Sequence, residues 1–201
     1  MMQTPRGNRV HIGFFGRTNV GKSTLLNRIS GQDVAITSPV AGTTTDVVEK
    51  GMELLPIGPV VFLDTAGLGD NTELGATRMQ RTALALPRCD VVVLVVEANE
   101  WGELEQGLVE RCRGQKIPVC VVINKCDVAL PSAEFVNHLN QNVGAVLSSG
   151  HPASEGERDK FVDAFKCAVL QILPEEALKT PPLVGDLVPP GGLVVMVVPI
   201  D

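Results

Sequence analysis

Residues 10 to 30 read VHIGFFGRTNVGKSTLLNRIS, and they leave this chain little choice of fold. An apolar, β-branched and aromatic run ends at Phe15, and a helix-forming run, KSTLLNRIS, starts at Lys22. Between them, Gly16 to Ser23 fit the pattern G-x-x-x-x-G-K-[ST] in full. Strand, glycine loop and helix in that order are the context in which such a loop holds phosphate. Gly16 and Gly21 let the backbone turn, so that successive N–H groups from Asn19, Val20, Gly21, Lys22, Ser23 and Thr24 face phosphate oxygens. The helix N-terminus adds positive potential. Lys22 is placed to reach β- and γ-phosphates, and the Ser23 hydroxyl to ligate Mg²⁺. Lys22 reads as part of a surface loop rather than of the core.

The rest of the chain repeats the strand–helix alternation. Val10–Phe15, Val47–Leu54, Val60–Asp64, Val91–Val96, Val119–Ile123 and Val143–Leu147 read as strands, the last being the weakest. Lys22–Ser30, Leu74–Leu86, Glu103–Arg113, Ser132–Asn140 and Arg158–Leu173 read as helices. The expected fold is α/β: a phosphate-loop fold with a mostly parallel six-stranded sheet and helices on both faces. The valine runs VVVLVV and VCVVI fit strands covered on both sides. Ligands of such sheets sit at the carboxyl ends of the strands. The expected division is a tail at 1–8, a nucleotide domain at 9–173, and a Pro/Gly-rich linker with the start of a following domain at 174–201.

Four further loops fall where that rule puts them. "FLDTAGLGD" ends a strand at Asp64, which suits the Mg²⁺ shell, and the Gly67 amide is in reach of a γ-phosphate. Taken singly, such an Asp is also an ordinary Asx-turn. "NKCD" closes the strand VCVVI with Asn124, Lys125 and Asp127. A carboxylate there accepts hydrogen bonds from guanine N1–H and the 2-amino group, which adenine lacks. An acceptor left unpaired costs about 1–3 kcal/mol, so Asp127 selects guanine. "LSSG", with Ser148 and Ser149, is placed to offer an amide to guanine O6. "AGTTTD" is either a solvated turn or a loop whose Thr44 closes over Mg²⁺ when a γ-phosphate is present. The groups expected at the reacting phosphate from these loops are Lys22, Thr44 and Gly67. Leu68 stands where many GTPases carry the glutamine that orients water. Asp70 and Glu73 are either water-positioning groups or solvated charges.

Composition narrows the setting. The 201 residues include 44% hydrophobic and 20% charged side chains, with a net charge of −6. An acidic balance argues against a dedicated nucleic-acid or anionic-membrane surface. No run has the length of a membrane span, and no secretory signal is visible. Five cysteines, none in a C-x-x-C pair, read as thiols of a cytoplasmic protein. Cys120 and Cys167 read as buried small hydrophobes. No iron–sulfur cluster is expected in this chain, because cluster ligation needs thiolates that converge.

Five loops in this order resemble the translation-factor-related GTPases, in the branch of ribosome-assembly and tRNA-modification GTPases. That branch commonly carries an apolar residue at the position of Leu68. In its potassium-activated members, the asparagine matching Asn19 helps to hold K⁺ beside the phosphates. Asn19 also suits a left-handed turn for its own sake. A narrower resemblance lies in "GQDVAITSPVAGTTTD", "MELLPIGPVVFLDTAGL" and the tail "PPLVGDLVPPGGLVVMVVPID". These look like the GTPase domain of the [FeFe]-hydrogenase maturation GTPases. That resemblance implies slow GTP hydrolysis, a dimerisation domain beyond this one, a homodimer, and radical-SAM maturases and a hydrogenase as partners.

Overall fold

The computed structural model describes residues 9–31, 48–64 and 85–178. Within them, β1 is Val10–Phe15, β2 Val48–Leu54, β3 Gly58–Asp64, β4 Val91–Glu97, β5 Val119–Asn124 and β6 Ala145–Ser148. The helices are α1 Lys22–Ser30, α2 Glu103–Gly114, α3 Ala133–Asn142, α4 Glu155–Ile172 and the single turn α5 Glu175–Leu178. A 3₁₀ turn, Leu86–Arg88, leads into β4.

The strands form one sheet in the order β2-β3-β1-β4-β5-β6. β3, β1, β4, β5 and β6 run parallel, and β2 pairs antiparallel with β3. Because side chains alternate along a strand, β4 feeds two cores. Val91, Val93 and Val95 join Phe14, Phe62, Leu26 and Phe165 on one face. Val92, Leu94 and Val96 join Leu63, Leu108, Ile123 and Leu139 on the other. The first face is covered by α1 and α4, the second by α2 and α3. Phe14 anchors the first, edge-on to Phe62 at 5.3 Å and stacked on Phe165 at 6.4 Å between ring centres.

Several boundaries differ from the sequence expectation, each for a local reason. The last helix starts at Glu155, because Ser154 caps it: its Oγ accepts from the Glu157 amide, and Glu157 reaches back to the Ala153 amide. β6 starts at Ala145, because the Val143 amide closes α3 by donating to Leu139 O. α5 interrupts the segment expected to be a linker. Cys120 is buried as expected, but Cys167 is exposed, since it lies on the side of α4 turned from the core. The expected helix at 74–86 lies outside the described residues except for its last two positions, and so does the tail 179–201.

The order places β1 between β3 and β4. The chain leaves β1 toward one side of the sheet and later returns to the other. That reversal opens a crevice beyond the carboxyl ends of β1, β4 and β5, where a sheet of this kind holds its ligand.

Candidate functional site

The loop after β1 is shaped for a polyanion. Gly16 has φ +140°, and a Cβ there would lie 2.2 Å from Val95 O. Gly21, φ +92°, would place one 2.4 Å from Asn124 Nδ2. Neither position admits a side chain. Asn19 takes the left-handed conformation at φ 65°, which its short amide tolerates. The amides of Asn19, Val20, Gly21, Lys22, Ser23 and Thr24 have no acceptor among the described residues. A row of unpaired amides at a helix N-terminus is what an oligophosphate requires.

Lys22 departs from the surface-loop expectation. It is only 9% exposed. Its Nζ donates to Gly16 O at 2.9 Å and to Arg17 O at 2.6 Å. Burial holds its ammonium below the usual lysine range, against the pull of the Asp64 carboxylate. Asp64 closes β3 and is 5% exposed. Its Oδ1 is buried and has no hydrogen-bond partner among the described residues. An orphaned carboxylate oxygen beside a phosphate loop fits a divalent cation bound directly or through water. Ser23 is exposed at the start of α1, where its hydroxyl can share that cation. Thr44 and Gly67 lie outside the described residues, as do Leu68, Asp70 and Glu73.

The guanine loop is braced against the phosphate loop. Asn124 is buried, and its Nδ2 donates to Val20 O at 2.8 Å. Lys125 sits at φ 58°, with Nζ 2.5 Å from Glu97 Oε1. Asp127 accepts the His151 amide on Oδ1 at 2.9 Å, and that bond holds its carboxyl below the usual range. A carboxylate kept ionised is the acceptor that guanine needs.

Ser148 is exposed at the end of β6. Ser149 is buried and fully engaged: its amide donates to Ile123 O at 2.7 Å, its carbonyl accepts from Cys126, and its Oγ accepts from Arg28 at 2.7 Å. The next amide, that of Gly150, has no acceptor among the described residues and is the one left for a ligand oxygen. Arg28 also stacks over Phe161 at 5.5 Å. Sequence reasoning had Gly150 inside the LSSG loop but missed Arg28 and His151. Arg28 is 121 residues from its partner, and no local pattern marks such a pair.

Known proteins are similar to this chain. The family described as 50S ribosome-binding GTPase matches residues 11–125. The chain is 44% identical over 154 residues to the tRNA modification GTPase MnmE of Synechococcus sp. (strain JA-2-3B'a(2-13)), across 74% of this chain and 32% of MnmE. It is 40% identical over 174 residues to GTPase Era of Pseudomonas aeruginosa (strain LESB58), across 85% of this chain and 57% of Era. A crystal structure of Era in complex with MgGDPNP and nucleotides 1506–1542 of 16S ribosomal RNA superposes with a TM-score of 0.61. That pair is 25% identical and covers 90% of this chain and 60% of Era. The chain thus spans between a third and three fifths of the length of these relatives. Among the described residues, no helix is long and apolar enough to cross a membrane. With more than half of its length matched, and its loops built to take phosphate on one side and a base on the other, the chain belongs to this family of P-loop GTPases.

Proposed function

We propose that this chain binds GTP and GDP with Mg²⁺ and hydrolyses GTP slowly, as a switch whose rate K⁺ raises. The observation that carries the reading is the joint between Asn124 and Val20. It holds a row of unpaired phosphate-loop amides and an ionised Asp127 in one frame. Asp127 and the Gly150 amide select the base. The amides from Asn19 to Thr24, with Lys22, hold the β- and γ-phosphates in line for water attack. Ser23, Thr44 and Asp64 would hold Mg²⁺, and the exposed Asn19 amide would hold K⁺ beside the phosphates. When bound, the two cations supply positive charge against which the developing negative charge of the phosphoryl group is stabilised. Leu68 has no group with which to orient water, and the cation supplies the charge that an arginine finger would otherwise supply. Hydrolysis should be faster in KCl than in NaCl at equal ionic strength. Asn19→Ala should remove most of the difference with GDP affinity nearly kept. Equal rates in the two salts would reject the potassium role.

For the full-length protein we propose [FeFe]-hydrogenase cofactor assembly, as a homodimer working with radical-SAM maturases and a hydrogenase. This rests on the resemblance of the segments 31–46, 52–68 and 181–201. A second reading, tRNA modification or ribosome assembly with RNA as partner, is supported equally by the family's description and by the likeness to MnmE and Era. The net charge of −6 weighs against an RNA surface within this chain. Deleting the gene separates the two. Loss of hydrogen turnover with unchanged tRNA nucleosides and ribosome profiles supports the first; the converse supports the second.

A further inference from the structure

Arg17 is the second residue of the phosphate loop, and its side chain runs to the first turn of α2. Nε and Nη2 each donate to a carboxylate oxygen of Glu105 at 2.8 Å. The Glu105 side chain is 2% exposed, and its Oε2 also accepts the Gly102 amide at 2.9 Å. Both carboxylate oxygens are therefore satisfied. The carbonyl of the same Arg17 accepts from Lys22 Nζ at 2.6 Å. One residue thus links the start of α2 to the lysine expected on the phosphates, across 88 positions of sequence.

Stability alone does not call for an ion pair here. Only the carboxylate is stripped of water, since the Arg17 side chain is 43% exposed, and a half-solvated pair adds little to stability. A bidentate fork does what apolar packing cannot: it fixes direction as well as distance. The loop it steers is the one whose amides must converge on the ligand, where a shift of a few tenths of an ångström matters.

We propose that Glu105, acting through Arg17, is a positioning residue that sets the phosphate loop in its nucleotide-binding form. The proposal rests on the nucleotide reading above and adds a residue in α2 to it.

The test turns on a sign. Glu105→Gln removes a negative charge near the site of a polyanion. Acting through the field alone, that change tightens nucleotide binding. Acting through position, it weakens binding. The experiment is titration of the purified chain with GDP and Mg²⁺ by calorimetry, alongside thermal unfolding without nucleotide. The expected result is a Kd about tenfold higher, which corresponds to about 1.4 kcal/mol. An unchanged or tighter Kd overturns the proposal.

Gln keeps an acceptor for the Gly102 amide, so α2 keeps its cap. Should the variant not fold, Arg17→Lys carries the test, since Glu105 then remains to cap the helix. Lysine keeps the charge but not the fork, and a Kd raised as far is expected. Parent-like affinity in Arg17→Lys overturns the proposal. Failure of the parent chain itself to bind GDP would instead sink the nucleotide reading.

Discussion

Asn124 donates from the end of β5 to the carbonyl of Val20, 2.8 Å away and 104 residues earlier in the chain. That bond braces the base loop directly against the phosphate loop. Asn124→Ala should leave the Val20 carbonyl buried without a partner. The expected loss is about 1–3 kcal/mol of stability, read from urea unfolding without nucleotide. GDP affinity should fall with it. Full stability with full affinity would show that the joint is dispensable.

Asp127→Asn should exchange guanine for xanthine specificity. The amide keeps an acceptor, but it presents a donor where guanine offers its own. Xanthine has a carbonyl in place of the 2-amino group and welcomes that donor. GTP affinity should drop at least a hundredfold and XTP affinity should rise, as competition binding would show. GTP affinity equal to the parent's would mean that Asp127 does not face the base.

Acid should destabilise the fold through Glu105. Burial pushes its carboxyl up, but the Arg17 fork and the Gly102 amide outweigh that, so it sits below the ordinary range. A carboxyl lower in the folded chain than in the unfolded one contributes stability fully above the unfolded value, about 4.3. That contribution is lost as pH falls through the folded value. Asp90, bonded to His11, acts in the same direction. Urea midpoints should decline below about pH 4.5, and less steeply in Glu105→Gln. An identical decline in that variant would remove Glu105 from the account.

The thiols should react in order of exposure. Burial pushes Cys89 and Cys120 up to about 12 and Cys112 to about 11, so all three are protonated at neutral pH. Cys167 is exposed and Cys126 half-buried. A disulfide reagent should label Cys167 first and Cys126 next, with the remainder only on unfolding. Anaerobic incubation with iron and sulfide should leave no cluster bound to this chain. A stable cluster at one per chain, lost on cysteine substitution, would show that its metal chemistry includes thiolate ligands.

Much of this architecture was legible because it is written locally. β1 and α1 match the sequence reading to the residue, since a β-branched run, a glycine loop and an amphipathic run each carry their own period. β4 and β5 were legible for the same reason. The phosphate loop and NKCD could be assigned as motifs. What escaped was long-range. Nothing near Glu105 in the sequence marks it as buried and held by a guanidinium from another loop. The sequence also does not show that Ser149 braces β5, Arg28 and Cys126 together. Lys22 looked like a surface residue because the sequence cannot show that Gly16 and Arg17 fold their carbonyls over it. Cys167 looked buried by composition, and the phase of α4 turned it outward.

The alternation along β4 has a consequence for how this domain tolerates change. Val93 and Leu94 are neighbours in sequence, yet each belongs to a different packed volume. Substitutions within one volume share contacts and should show strong epistasis, while pairs drawn one from each should combine almost additively. The sheet thus acts as a partition that lets the α1–α4 side and the α2–α3 side drift on separate schedules. The nucleotide loops, which cross from one side to the other at the sheet's end, are where those two histories must stay in step.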